Sequence, residues 1–180
     1  MIKDTLKYLL SFKKSGIIFP SSPALARKVA SRIPYKENQK LIELGGGNGV
    51  ITREILKHML PGSKLASVEL NAHFAKSLEE IDDDRLTVLH QDIFEIFIDG
   101  SQNQFDAIIS CLPLTLMRDD KVDLLLKMSR ESLKPGGYFV QYQYSPAILD
   151  KLRDAFIEVD LNYVLFNAPP AIVFTGKSPV

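Results

Sequence analysis

Nine residues, Leu41-Ile42-Glu43-Leu44-Gly45-Gly46-Gly47-Asn48-Gly49, constrain this chain more than any other stretch. An apolar run ends in a loop dominated by glycine, and a helical pattern opens at about Val50, so the segment reads as a buried strand, a tight turn and a helix start. Glycines there remove the Cβ atoms that would keep backbone N–H groups away from a ligand. The spacing is not that of a dinucleotide fingerprint: counting from Gly45 gives Gly47 and then Val50, too bulky where that motif packs its helix on the strand. What remains is E-x-G-x-G-x-G, led by Glu43.

The pattern around this loop alternates. Strands are expected over Lys40 to Leu44, Lys64 to Leu70, Leu86 to Gln91, Phe105 to Cys111 and Tyr138 to Tyr144. Helices are expected over Val50 to Leu60, Ala72 to Ile81, Asp119 to Leu133 and Pro146 to Phe156. Consecutive βαβ units give a parallel sheet, with its ligand site at the carboxyl ends of the strands. Two last strands, Val159 to Phe166 and Ala171 to Gly176, joined by Asn167-Ala168-Pro169-Pro170, make an antiparallel pair at the sheet edge. Ile93 to Ile98 is too short to classify, and Asp99 to Gln104 reads as a polar turn.

Two helices precede this core. Ile2, Leu6, Leu9 and Leu10 recur at spacings of three and four among Lys3, Lys7, Lys13 and Lys14, so residues 1–14 read as an amphipathic helix with a basic flank, ended by Ser15-Gly16. Pro20-Ser21-Ser22-Pro23 supplies a turn, an N-cap serine and a first-turn proline for a second helix over residues 22–33. A chain of 180 residues fits one domain, residues 1–180 with its core over 40–177.

Lysine plus arginine and aspartate plus glutamate each number 22, so no global field draws the molecule to nucleic acid or membrane, and any such attraction is local. A single cysteine, Cys111, excludes an intrachain disulfide and fits a cytoplasmic setting. No apolar run reaches a spanning length. His58, His73 and His90 lack metal-ligand spacing, and no metal is expected.

Candidate site residues gather at the expected strand ends. Glu69, about 20 residues beyond the glycine loop, is placed to accept both hydroxyls of a ribose. Asp92 closes the third strand over the same edge; a solvated strand end or a helix cap is the competing reading for either acid. Ser110-Cys111-Leu112-Pro113-Leu114 follows the fourth strand, where carbonyls of Cys111 and Leu112 are expected to accept from an amine and Pro113 to stiffen the loop. Cys111 reads as small core filler. Tyr142 and Tyr144 face one side of the fifth strand, and Tyr144 could offer its ring to a cationic nitrogen.

The glycine pattern with Glu69 ending the next strand resembles motif I of the class I S-adenosylmethionine-dependent methyltransferases. The resemblance implies a Rossmann-like α/β fold with a seven-stranded, mostly parallel sheet whose last strand is reversed. It also implies S-adenosyl-L-methionine as cofactor. Glu43, Gly45, Gly46, Gly47, Asn48, Gly49, Glu69, Leu70 and Asp92 would then line the cofactor, with Glu43 at its methionine end and Asp92 at the adenine amino group. Ser110, Cys111, Leu112, Pro113 and Tyr144 would line the reaction site. Ribosomal RNA adenine dimethylases carry an Asn-Leu-Pro-Tyr-like sequence at motif IV, and here both end positions differ, Leu114 replacing the ring that stacks on a base.

Gly16-Ile17-Ile18-Phe19-Pro20-Ser21-Ser22-Pro23-Ala24-Leu25-Ala26, Gln143-Tyr144-Ser145-Pro146 and Asn167-Ala168-Pro169-Pro170-Ala171 resemble the bacterial phospholipid N-methyltransferases that act on phosphatidylethanolamine. That implies a peripheral enzyme on the inner face of the cell membrane, reaching lipid through residues 1–14. Nucleic acid is not an expected partner, and the oligomeric state is left open. Alternatives are an adenine N-methyltransferase of ribosomal RNA, a small-molecule methyltransferase, or a noncatalytic cofactor-binding protein; the acids Glu43, Glu69 and Asp92 favour an enzyme.

Overall fold

The computed structural model describes residues 21–96 and 102–180. The helix expected over residues 1–14 lies outside that range, as does the first half of the turn expected over Asp99 to Gln104, whose described residues Gln102 and Asn103 are a turn. Ser22 starts the first described helix, α1 (Pro23–Ala30): its hydroxyl oxygen accepts the Leu25 N–H at 3.1 Å, and Pro23 supplies a fixed φ in the first turn. The helix stops at Ala30, short of the expected residue 33, yet Ile33 still packs in the core.

Strand β1 (Lys40–Leu44) leads through the glycine loop to α2 (Val50–His58), β2 (Lys64–Val68), α3 (Ala72–Glu79) and β3 (Leu86–Leu89). A single helical turn, α4 (Ile93–Ile96), precedes β4 (Phe105–Ser110), and a 3-10 turn (Leu114–Leu116) precedes α5 (Asp119–Ser132). The chain continues through β5 (Leu133–Gln143), α6 (Leu149–Ala155), β6 (Ile157–Val164) and β7 (Ala171–Lys177).

The seven strands lie in the order β3-β2-β1-β4-β5-β7-β6. Neighbours from β3 to β5 pair in parallel, and β7 runs antiparallel to both β5 and β6. The carboxyl ends of β1 to β6 therefore share one edge. The reversed strand is inserted beside β5, which leaves β6 at the edge.

Alternation across the pleat sends Leu41, Leu65, Ala107, Ile109 and Val140 to one face, under Leu25 and Val29 of α1 and Ile51 and Ile55 of α2. Ile42, Leu44, Val68, Ile108 and Phe139 take the other, under Leu125 and Leu126 of α5 and Leu152 of α6. Each fully buried leucine, isoleucine, valine or phenylalanine among them contributes roughly 1.5–3 kcal/mol.

Of the further element ends that differ from expectation, two have a visible cause. Helix α2 ends at His58 because Met59 turns extended and Arg85 donates to the carbonyls of Leu56 (2.9 Å) and Met59 (3.1 Å), a side-chain cap from another element. Strand β5 begins at Leu133, before the expected breaker: Leu133 pairs with Phe105, and the ladder resumes at Tyr138 opposite Ala107 after a shift in register. No helix among the described residues is long and apolar enough to cross a membrane.

Candidate active site

The glycine loop closes on β2. Gly45 and Gly46 donate to the Val68 carbonyl at 2.8 and 3.2 Å, Gly47 donates to Glu69 Oε2 at 2.9 Å, and Gly49 donates to the Gly46 carbonyl at 3.0 Å. These N–H groups are thus engaged within the protein, a correction to the expectation that they approach a ligand. The glycines serve by shape instead. A Cβ on Gly46 would fall 2.2 Å from Ser67 Oγ and 2.8 Å from Leu78 Cδ1, whereas one on Gly47, at φ +55°, would meet nothing within 4 Å. Gly47 therefore borders open space, and the missing side chain is what keeps that space clear.

Glu69 follows β2 at that border and is almost fully buried. Its two oxygens are held separately, Oε2 by Gly47 N–H and Oε1 by Asn71 N–H at 2.8 Å. A carboxylate has about four acceptor sites, so each oxygen keeps capacity for one further donor, such as one of a pair of vicinal hydroxyls. Leu70, next along, is half-buried, and its carbonyl lies 3.2 Å from His90 Nε2. Asp92 is buried after β3 and accepts the Phe94 N–H at 3.0 Å, so it does cap α4, the competing reading for this residue. Asn48 is exposed at the loop tip.

Glu43 is fully buried one layer below. In register with Ser67 of β2 and Ile109 of β4, it accepts at Oε2 from Thr52 Oγ1 (2.6 Å) and Ser67 Oγ (2.7 Å), with Cys111 Sγ 3.9 Å from Oε1. Burial pushes its carboxyl above the usual range; the two hydroxyl donors oppose that, and the Glu69 charge adds to it. Burial also raises the Cys111 thiol well above its ordinary value, with the Glu43 charge reinforcing the effect, so the cysteine is a protonated donor and no nucleophile.

The segment after β4 divides between the two faces. Cys111 joins the α1 side with Glu43, while alternation sends Ser110 to the α5 side, fully buried. Leu114 is also buried there, at 1% exposure, whereas Cys111, Leu112 and Pro113 between them are partly exposed. The Leu112 carbonyl was expected to receive an amine. It already accepts from Gln143 Nε2 (2.8 Å), Gln141 Nε2 (3.0 Å) and Leu114 N–H (2.9 Å), which fills its lone pairs and gives it a structural role. Thr115 Oγ1 donates to Gln143 Oε1 at 3.1 Å and holds that amide in place. Sequence alone concealed these glutamines, because a strand pattern does not distinguish a buried polar clamp from a solvated position.

Tyr142 and Tyr144 stand on the Glu43 side, edge to face, with ring centroids 6.2 Å apart. Tyr142 is largely covered and accepts from Ser21 Oγ at 3.3 Å; burial holds its phenol protonated. Tyr144 is 43% exposed at the rim. Ser22 N–H donates to Asn167 Oδ1 (3.1 Å), Ser22 Oγ donates to the Phe166 carbonyl (3.0 Å), and Asn167 Nδ2 donates to the Pro169 carbonyl (2.7 Å). The segment before the first helix and the one between the last two strands, far apart in sequence, thus form one wall. Among the described residues no group of three metal-ligating side chains comes together.

A parallel sheet with one reversed inner strand, a glycine turn after β1 and a held carboxylate after β2 define a class I S-adenosylmethionine-dependent methyltransferase. The residues fit that cofactor: space opens over Gly47, and Glu69 retains one acceptor site on each oxygen. The family model for ribosomal RNA adenine dimethylase matches residues 12–112, more than half of the chain, and the protein belongs to that family.

Ornithine lipid N-methyltransferase of Singulisphaera acidiphila is 29% identical over 180 residues and is covered, like this chain, to 94%. Ribosomal RNA small subunit methyltransferase A of Staphylococcus carnosus is 27% identical over 146 residues, which cover 76% of this chain and 47% of that protein. The structure of phosphoethanolamine N-methyltransferase 2 from Haemonchus contortus, in complex with phosphomonomethylethanolamine and S-adenosylhomocysteine, superposes with a TM-score of 0.67 at 16% identity, over 86% of this chain and 52% of that one. That likeness is one of fold. The lipid-modifying relative is named for ornithine lipid and not for phosphatidylethanolamine, so the resemblance holds at the level of the methyltransferase class.

Proposed function

We propose that this enzyme methylates the primary amine of a membrane lipid, of the ornithine-lipid or phosphatidylethanolamine type. The observation that carries this reading is the uncharged, partly aromatic rim: from Leu161 to Gly176 no residue is charged, and Tyr144, Leu165 and Phe166 are exposed. A nucleic acid would call for lysine or arginine there to meet its phosphates. The end-to-end match to a lipid N-methyltransferase, against less than half the length of a ribosomal RNA enzyme, supports the same choice.

When bound, the cofactor would supply an electrophilic methyl group on a sulfonium for the amine nitrogen, with a neutral thioether as the leaving group. This chain's residues align the partners. Glu69 holds the cofactor through its ribose, Cys111 to Pro113 floor the site, and Tyr144 presents an aromatic face to the nitrogen as it becomes a bulkier cation. Burial holds Cys111 and Tyr142 protonated, so neither the thiol nor the phenol takes the proton that leaves the ammonium.

Residues 1–14 are proposed as a membrane-surface segment, each lysine contributing about 1 kcal/mol near an anionic bilayer. Deleting them should abolish binding to anionic vesicles and leave the melting temperature unchanged; a large fall in melting temperature would make the segment a structural brace. For the substrate, the purified enzyme with labelled cofactor is offered phosphatidylethanolamine vesicles, ornithine-lipid vesicles and a structured ribosomal RNA fragment. Label in either lipid is the expected result, and label in RNA alone would overturn the reading.

A further inference from the structure

We propose that the loop joining β6 to β7, with Leu165 and Phe166 at its tip, inserts into the surface of a lipid bilayer beside the mouth of the active site. This deepens the lipid-amine reading and rests on it. Leu165 is 72% exposed and Phe166 89%, with Tyr163 beside them at 63%; large apolar groups this bare on a folded surface mark a contact site.

Position comes first. Because β6 runs parallel to β5, the loop emerges at the edge where the carboxyl ends of β1 and β4 carry Glu43 and Cys111. Bonds lead from Tyr142 to the tip: its phenol stands on Ser21, and the adjacent Ser22 bonds Phe166 and Asn167. Tyr144, at the rim, stands against Tyr142. An apolar knob so placed brings the open side of the pocket against whatever it enters.

The chemistry of the loop selects the occupant. The hydrocarbon region of a bilayer rejects charge and unsatisfied backbone. Between Asp160 and Lys177 the chain has no charged residue. The Phe166 carbonyl accepts from Ser22 Oγ, the Asn167 amide is bonded on both sides, and Pro169 and Pro170 have no N–H to satisfy. The tip is therefore apolar, with the Phe166 carbonyl and the Asn167 side chain already paired. Charge agrees: Lys13 and Lys14 precede Ser21 by only eight and seven residues in the sequence. An apolar tip with lysines tethered nearby is complementary to a bilayer containing anionic lipid.

The sequence has no tryptophan, so Phe166→Trp creates a single emitter at the tip. Its emission is recorded with vesicles of phosphatidylethanolamine and phosphatidylglycerol, and with the same lipids carrying brominated chains. A blue shift with vesicles and quenching by bromine are expected, together with at least about a tenfold loss of vesicle partitioning in Leu165→Ser/Phe166→Ser. Vesicle binding without shift or quenching would overturn the proposal. So would emission already blue-shifted without lipid, which would mean that the tip is covered by its own chain, or by a second copy if the shift grows with protein concentration. Methyl transfer to dispersed short-chain phosphatidylethanolamine and ornithine lipid separates the two readings. If it proceeds while the tip fails these tests, only docking falls; if it is absent for both while the tip inserts, only the lipid-amine substrate falls.

Discussion

The backbone N–H of Ser22 donates to the side-chain oxygen of Asn167 across 145 positions of sequence, at 3.1 Å. The same serine caps α1 through its hydroxyl oxygen, so one residue starts the helix that covers the sheet and fixes the loop that follows β6. Ser22→Ala removes the cap and the bond to Phe166 together and should cost about 0.5–2 kcal/mol. Asn167→Ala leaves a backbone donor unpaired and should cost about 1–3 kcal/mol. Because both act on one junction, the double variant should lose less than the sum of the singles, as measured by denaturant unfolding.

Gly46 and Gly47 are adjacent, and their substitutions should fail in different ways. Gly46→Ala drives a methyl into Ser67 and Leu78 and should destabilise the fold by about 1–3 kcal/mol. Gly47→Ala meets no atom and carries only the strain of its positive φ, about 1–2 kcal/mol, but places a methyl in the space assigned to the cofactor. Calorimetry with S-adenosylhomocysteine beside a thermal melt should show the Gly47 variant losing affinity far out of proportion to stability.

Glu69→Ala should abolish measurable cofactor binding or weaken it by about 1.5–3 kcal/mol for each ribose hydroxyl that the carboxylate no longer holds. Binding equal to wild type would remove Glu69 from the ribose role.

Glu43 gives a pH signature with a definite sign. Burial raises its carboxyl in the folded state above the unfolded value, so the folded state binds that proton more tightly. The associated stability is fully present below the ordinary carboxylate range and is lost as pH rises through the raised value. Glu43→Gln keeps an acceptor for Thr52 and Ser67 without the titration. The variant's melting temperature relative to wild type should climb as pH increases from the acidic side and then level off.

Tyr144→Ala should slow the later methylations more than the first, by about 0.5–2 kcal/mol, because each added methyl removes a donor and leaves nitrogen more dependent on the aromatic face. Mass spectrometry of mono-, di- and trimethylated lipid reads this directly; an unchanged product ratio would remove that ring from the site.

What could be read from sequence were features whose cause is local. Leu41 to Leu44 running into glycine fixed β1 and its loop, and Ser22-Pro23 fixed the start of α1, because strand burial and capping act within a few residues. Distant partners decided the rest. Helix α2 ends where Arg85 reaches its carbonyls, Glu43 is held by Thr52 and Ser67 from two other elements, and the Leu112 carbonyl is filled by glutamines of β5. None of these partners carries a local signal. The division of Ser110 and Cys111 between opposite faces was legible from strand periodicity, provided the strand's register against β1 was known.

The position of β7 reaches beyond the finished molecule. Between β5 and β6 lies a strand made after both, so a chain emerging from the ribosome has neither of its last two parallel strands closed until residues 171–177 are free. Until then β5 exposes one unpaired backbone edge and β6 two, beside the bare side chains of Tyr163 and Leu165, the arrangement from which intermolecular strand pairing starts. Completion of the sheet thereby waits on the strand made last, and a chain lacking residues 171–177 is an adhesive intermediate, not a smaller enzyme.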